Sequence, residues 1–536
     1  MNAQVIRMFA VALVLMLVAG CTTPAQVASS PSASASAAPK KGGSLVIALD
    51  ADPPTLNPVT TEALQTFYVT NQVFDTLVGY DKSFNPVPRL ASSWSASADG
   101  KTYTFQLVPG VKWHDGVAFT ADDVKFTLGT LGPANVAAYK TVLGGLSSID
   151  ASDPTKVVLN FSAPTATLLS FLGDPAFGIM PKHLYESGDA KTNPANSAPV
   201  GTGPFKFKEW VRGDHVTLVR NDAYFGKNGP YLDEVVFRTI PNATAQAAAL
   251  ERGEVSEILS RVQPVDAQRL QSNPSVVLVK PSVAARITGL WPNLRSKPLS
   301  DLKVRQALSL AADRERMTSQ ITFGQAKTAR APIASTSAYF DSTLPALTRD
   351  VAAANKLLDD AGYKRAADGT RFSLKLLHVS TISDFAKTAQ ILKESFDEIG
   401  VKIEIVAAET TTTLDAIFKN WAFDLGVYSA TMGPEPSKTW TAWFTTDGIN
   451  KAYFTNAEGY SNSQVDQLIR DSGNIIDKTQ RGNSYKAIEQ ILMKDLPVIP
   501  LWEPVFISGH RAEFVGAFDQ PDDRYIFFGS TWKRSP

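Results

Sequence analysis

The chain has a single cysteine, Cys21, in 536 residues. That excludes an internal disulfide, and it leaves no thiol for catalysis or for a cysteine-based zinc site elsewhere. Neither sign of charge is in excess: 52 Lys and Arg balance 52 Asp and Glu. The sequence therefore lacks the electrostatic footprint of a nucleic-acid binder. Histidine is scarce, and His114, His183, His215, His378 and His510 are scattered without metal-ligand spacing. Gly-x-Ser-x-Gly, His-Glu-x-x-His and Walker signatures are all missing. Gly201-Thr202-Gly203-Pro204 lacks a third glycine, and Pro204 interrupts the helix a phosphate-binding turn would need. Asp50 and Asp52 read as turn caps around Pro53-Pro54 rather than an acid/base pair. What is present is a globular composition, 44% hydrophobic and 19% charged, which rules out wholesale disorder. At about 150 residues per domain the length suggests three domains or two large lobes. The 14 Tyr and 9 Trp suit a small-molecule pocket.

The amino terminus reads as an address and a tether. After Arg7, the apolar run Met8 to Ala19 is too short for the roughly 20 residues of a membrane-spanning helix. It fits the apolar region of a signal peptide, 1–20. Val18-Ala19-Gly20-Cys21 resembles the bacterial lipobox, in which small residues let a peptidase reach the chain and the thiol accepts a diacylglyceryl group. Cys21 is the expected lipidation site. Residues 21–42 are rich in Ser, Ala and Pro and have no apolar periodicity, as in a disordered tether. A coil of that length spans about 25 Å. The protein is thus expected to act outside the cytoplasm, attached to the cell membrane through the lipid alone.

In the rest of the chain, residues 44–49 read as a buried strand, followed by the proline-punctuated loop Asp50 to Pro58. Tyr103–Leu107, Val157–Phe161, Val216–Val219 and Val235–Arg238 are further strand candidates, and Thr120 caps a short helix from Ala121 to Leu128. Asp301 caps a helix with apolar Val304, Leu308, Ala311 and Ala312 at i, i+4, i+7 and i+8. Ala352–Ala361 is helical and closed by Gly362. An alternation follows: strand Ser373–Leu377, helix Phe385–Ile399, strand Lys402–Val406, helix Thr413–Trp421, strand Asp424–Tyr428. These lengths predict a parallel sheet with right-handed crossovers. Two helices near Val465–Ile476 and Gln480–Met493 come next, and Pro497 to Pro500 breaks the pattern.

Ligands of open parallel sheets sit beyond the carboxyl ends of the strands. The loops so placed are Asp50–Pro58, with Thr55; His378–Asp384; Ala407–Thr412; and Ser429–Pro436, which leads to Trp440 and Trp443. His378, Tyr428, Glu435 and Trp440 are therefore candidate ligand contacts. Glu435, between Pro434 and Pro436, is expected to be stiff and exposed. No catalytic group, metal or cofactor is expected.

The segment Tyr103 to Phe126, YTFQLVPGVKWHDGVAFTADDVKF, carries a resemblance through His114-Asp115-Gly116 and Ala121-Asp122-Asp123-Val124. Arg89-Leu90-Ala91 to Trp94, Gly201 to Phe205, Leu299 to Asp313, Leu357 to Tyr363 and Asp495 to Leu501 support it in order and spacing. Together they resemble the family 5 bacterial extracellular solute-binding proteins, receptors of peptide/nickel-type ABC importers, over nearly the whole mature chain. The resemblance implies an α/β, two-lobed periplasmic-binding-protein fold (class II/cluster C type) with an extra subdomain in the first lobe. Lobe one is expected at 43–300, with the extra subdomain at about 86–202. Lobe two is expected at 301–500, and 501–536 returns to lobe one. Crossings are expected near Trp291–Lys297, which adds Trp291 as a candidate contact, and near Pro500–Ser508. The signature segment reads as structural.

The resemblance also implies a non-enzymatic monomer that captures short peptides or peptide-like solutes by lobe closure and delivers them to a permease. An oligosaccharide stacking on Trp421, Tyr428, Trp440 or Trp443, or a metal chelate, is the alternative cargo. A secreted hydrolase would need an activated nucleophile beside a base, and none is apparent. A signalling receptor on the same fold is a third reading. In peptide receptors of the family an aspartate holds the peptide amino terminus. Aligning the acid-proline pair on Glu435-Pro436 puts Met432 there, and Ser429 where a tryptophan is usual. A carboxylate-binding arginine of some dipeptide receptors falls near Ser380. A buried ammonium or carboxylate needs an opposite charge, so the usual zwitterion clamp is missing.

Overall fold

A computed structural model describes residues 39–259, 261–280, 286–431, 435–516 and 523–534. Cys21 and Met432 lie outside them. Three larger sheets organise the chain. The seven-stranded sheet runs in the order Val276–Val279, Ser508–Arg511, Glu257–Ile258, Ser44–Leu49, Glu234–Thr239, His215–Arg220, Phe205–Val211. Ser44–Leu49 is parallel to both of its neighbours. Side chains alternate across a strand, and here both faces are buried. Leu45, Ile47 and Leu49 enter one apolar cluster, and Ala48 enters another with Ala247, Leu250 and Leu270.

The four-stranded sheet orders Ala91–Ala96, Thr102–Leu107, Lys156–Phe161 and Leu146–Asp150. It shares its core with the seven-stranded sheet: Phe105, Trp113, Tyr139 and Leu159 pack in one cluster with Ile47, Phe67 and Phe237. The signature segment holds this body together. Thr120 caps helix Ala121–Phe126, with Asp123 closing a capping box. The buried Trp113 donates its indole N–H to Asp123. His114 Nε2 lies 2.9 Å from the carbonyl of Gly203, and Gly201 N donates to His114 Nδ1 at 3.2 Å. Burial lowers the His114 pKa to about 4, so the ring bridges as neutral imidazole at pH 7. Gly201 and Gly203 lie against backbone: a Cβ on them would fall 1.7 Å from the Val73 carbonyl oxygen and 2.5 Å from that of Gln72. That close approach, not phosphate binding, is why the turn is glycine-rich.

The six-stranded sheet orders Lys327–Thr328, Ile499–Glu503, Arg286–Pro292, Leu425–Thr431, Phe372–Val379 and Val401–Ala408. Phe372–Val379 is parallel to Val401–Ala408 and to Leu425–Thr431, as the alternation predicts. Its helix Ser383–Asp397 buries Phe385, Ala389, Leu392 and Phe396 along one face. The second crossover differs from expectation. Helix Thr410–Leu414 widens into a π-turn at Asp415–Lys419, and Trp421 at φ +53° ends it. The helix cap at Asp301 is as read, and Asp350 caps Val351–Asp360 in the same way, each side chain accepting from a first-turn N–H.

Two strands that local pattern did not announce complete this sheet. Arg286–Pro292 and Ile499–Glu503 insert antiparallel to their neighbours. The sheet is therefore mixed, and its boundary does not fall at residue 300: Trp291 is already inside it. Pro500 sits in a strand, where the register slips between Thr288 and Gly289, the kind of place a ladder tolerates a missing donor. The cluster under this sheet, including Trp291, Leu376, Trp440 and Tyr485, is separate from the other two. Among the described residues, no helix is long and apolar enough to cross a membrane.

Gly201→Ala is expected to lower stability by about 3 kcal/mol or more, because the added methyl meets backbone that cannot swing away. Thermal and urea unfolding of the variant measure this; an unchanged midpoint would refute the close-approach account.

Candidate functional site

The carboxyl ends of parallel strands from two sheets meet across a seam. On one side Phe372–Val379 leads to helix Ser383–Asp397, with Asp384 in its first turn. On the other, Glu257–Ile258, beside Ser44–Leu49, leads to Arg261. Arg261 Nη2 donates to Asp384 at 2.6 Å, joining the two bodies. Asp384 is 5% exposed, while the Arg261 Nε is buried without a hydrogen-bond partner among the described residues. The Arg261 guanidinium lies 5.5 Å from the centre of the Phe506 ring, and that of Arg286 lies 4.1 Å from it. Arg286 also donates to Thr431 Oγ1, at the end of Leu425–Thr431. Two cations, one acid and an aromatic edge thus gather where strand ends converge.

The residues singled out from sequence divide into three groups. Thr55 lies in the loop after the first strand, with a buried hydroxyl that has no partner among the described residues and a carbonyl that accepts from Thr66. Ser429 shares a 2.8 Å hydroxyl–hydroxyl bond with Thr288 across the sheet. His378 belongs to its strand rather than to the loop beyond it, is 3% exposed, and its Nδ1 lies 3.0 Å from the Val379 carbonyl.

Trp291, Tyr428 and Trp440 are core residues. Trp291 stacks on Tyr428 with centroids 4.8 Å apart and donates to the Tyr428 carbonyl. Trp440, fully buried, meets Tyr485 edge-on. Trp421 lies just before strand Leu425–Thr431, away from its carboxyl end, between Arg295 and Lys451. Trp443, packed on Trp291 with centroids 4.6 Å apart, is buried as well, so three of the four aromatics considered as a sugar platform are core residues.

Glu435 corrects the expectation most. It is 1% exposed, not solvated. Its carboxylate accepts from Arg481 Nε at 2.9 Å, from the Tyr485 hydroxyl at 2.6 Å and from the Tyr339 hydroxyl at 2.8 Å. Arg481 spends its remaining donors on the carbonyls of Ile475 and Ile476 and on Tyr339. Glu435 directly precedes helix Pro436–Phe444, so this knot pins the end of the strand-end loop to helix Lys478–Asp495.

Residues 85–451 match the profile of the bacterial extracellular solute-binding proteins, family 5 middle region. The chain belongs to this family. It is 27% identical to the oligopeptide-binding protein AppA of Bacillus subtilis (strain 168) over 519 residues, 93% of each chain. It is 27% identical to the glutathione-binding protein GsiB of Escherichia coli (strain K12) over 491 residues, 90% of this chain and 93% of the other. The substrate-binding protein CtaP of Listeria monocytogenes superposes with a TM-score of 0.82 at 25% identity, covering 92% of this chain and 100% of that one. The two bodies are accordingly the lobes of a two-lobed, α/β periplasmic-binding-protein fold.

In this family 5 fold, the residues that sequence reasoning missed are Arg261, Asp384, Arg286, Phe506 and Arg481. Asp384 closed one of the expected strand-end loops, but nothing local marked it. The other four come from distant segments and form no spaced motif. Among the described residues, no three His, Cys, Asp or Glu side chains are grouped to hold a metal ion.

Two outcomes test these assignments. Arg481→Met leaves Glu435 buried without its cation and should cost about 3–5 kcal/mol; adding Glu435→Gln should recover a large part, as a double-mutant cycle by urea unfolding would show. Glu458, which accepts from the Tyr428 hydroxyl, is raised by burial to about 8. Its contribution is complete below about pH 4.5 and is lost as the pH rises through 8, by about 1.4 kcal/mol per unit. Glu458→Gln should therefore match the parent Tm near about pH 5 and exceed it near about pH 8.

Proposed function

We propose that this chain is the lipid-anchored, extracytoplasmic receptor of an ABC importer, which captures short peptides or peptide-like solutes by closing its lobes and delivers them to the permease. The observation that carries the reading is the seam itself. Strand ends of two separately cored lobes face one another, and a largely buried ion pair, Arg261–Asp384, spans them. A solute held there touches both lobes only when they are closed, so its binding energy favours the closed state. Full-length relatives named for oligopeptide and glutathione binding support a peptide-like cargo. The first lobe carries the seven- and four-stranded sheets and the second carries the six-stranded sheet. Cys21 supplies the anchor, and 21–42 the tether.

The reading is one of capture without chemistry. Native mass spectrometry of freshly purified protein should show a bound solute that is released unaltered. Small-angle scattering should show a smaller radius of gyration when a defined tri- to pentapeptide set is added. Cys21→Ser should move the protein from the membrane to the soluble fraction. Cleavage of the peptides, or identical scattering with and without a bound one, would overturn the proposal.

A further inference from the structure

The Arg261–Asp384 bridge is bonded less completely than its burial calls for. The side-on edge of a guanidinium carries two parallel donors, Nε–H and one Nη2–H, and matches the two oxygens of one carboxylate. Here Nη2 donates to Asp384 Oδ2 at 2.6 Å, while the adjacent Nε, also buried, has no hydrogen-bond partner among the described residues. Asp384 is 5% exposed, and among the described residues its carboxylate takes no hydrogen bond besides this one. Groups so placed are ordinarily bonded at each donor and acceptor. Both partners therefore have bonding capacity left over at the seam. A further unmet donor stands on the same lobe: the buried Thr55 hydroxyl, in the loop after Ser44–Leu49, has no partner among the described residues.

The two groups stand on opposite lobes. Arg261 follows strand Glu257–Ile258 of the first, and Asp384 lies in the first turn of helix Ser383–Asp397 of the second. Lobe closure brings them either onto one another or onto whatever lies between. A solute that carries only a carboxylate would occupy Arg261 and leave Asp384 buried without a counter-charge. One that carries only an ammonium would strand Arg261. Either is costly, because a buried charge without a partner gives up its hydration for nothing. A solute with a carboxylate at one end and an ammonium at the other satisfies both groups. It also sets two oxygens against the side-on edge of Arg261, where Asp384 sets one.

We propose that Arg261 and Asp384 are specificity-determining residues that exchange one another for the two ends of the solute. Arg261 takes a terminal carboxylate through Nε and Nη2, and Asp384 takes a terminal ammonium. The direct bridge and the filled clamp exclude one another, and the cargo so selected is a zwitterion with its unlike charges at separate ends. The inference rests on the receptor reading and deepens it, by naming which ends of the cargo each lobe holds.

The test uses the full chain and the tri- to pentapeptide set in three forms, free, N-acetylated and C-amidated, titrated by calorimetry. Free peptides should bind about 100-fold more tightly than either blocked form, the scale of leaving one buried charge unpaired. Asp384→Asn should erase the preference over the acetylated form and keep that over the amide. Arg261→Gln should do the converse. Each preference is a ratio taken within one variant, so a general loss of stability does not move it. The double variant, Arg261→Gln with Asp384→Asn, strands no charge and should show neither preference. Free and blocked peptides binding alike to the parent, or both preferences surviving in either single variant, would overturn the assignment while the receptor reading stands. Binding of no peptide in any form would overturn the receptor reading and the assignment together.

Discussion

The carboxylate of Glu435 is the point on which the geometry of the second lobe's rim depends. It is buried, so it must be fully paired, and Arg481, Tyr339 and Tyr485 pair it. Those partners come from a loop and a helix far apart in sequence. Satisfying one acid therefore fixes three segments relative to one another. An ion pair of this kind adds little net stability compared with apolar packing, but breaking it is costly. It specifies position rather than supplying strength. The loop that ends at Glu435 leaves a parallel strand at the edge where ligands of such sheets lie, so the knot holds the rim of the seam.

The two lobes are built differently to the same end. The first shares one apolar cluster between a seven-stranded and a four-stranded sheet, sewn together by His114, Gly201 and Gly203. The second has its own cluster under a mixed sheet. The apolar cluster of neither lobe runs through the seam into the other. Among the described residues, contacts across that seam include Arg261 to Asp384, the backbone bond from Ala166 N to the Gly473 carbonyl, and the cations of Arg286 and Lys438 over the rings of Phe506 and Phe171.

Much of the fold was legible along the chain wherever local pattern and final structure share a cause. The strand–helix–strand alternation from 373 to 428 follows from periods of two and 3.6, which survive folding because each element buries the face its own spacing defines. The helix start at Asp301 was legible because a cap is a contact within three residues. The strands Arg286–Pro292 and Ile499–Glu503 were not, since their partners lie far away and Pro500 looks like a breaker until the slipped register shows where its missing N–H falls.

The candidate site was legible as a set of loops and not as a set of side chains. Aromatics near strand ends suggested a binding surface, yet Trp291, Tyr428 and Trp440 fill the core, because the apolar area of a large ring is worth more inside than at a rim. Glu435 looked solvated because proline neighbours say nothing about what packs above them. The sequence alone determined the class of fold, the order of its crossovers and the family to which it belongs, all properties carried by short-range spacing and motif order. Only the tertiary structure decided which charges meet, Arg261 with Asp384 and Arg481 with Glu435, because a charge's partner is chosen by proximity in space, and that depends on the whole chain.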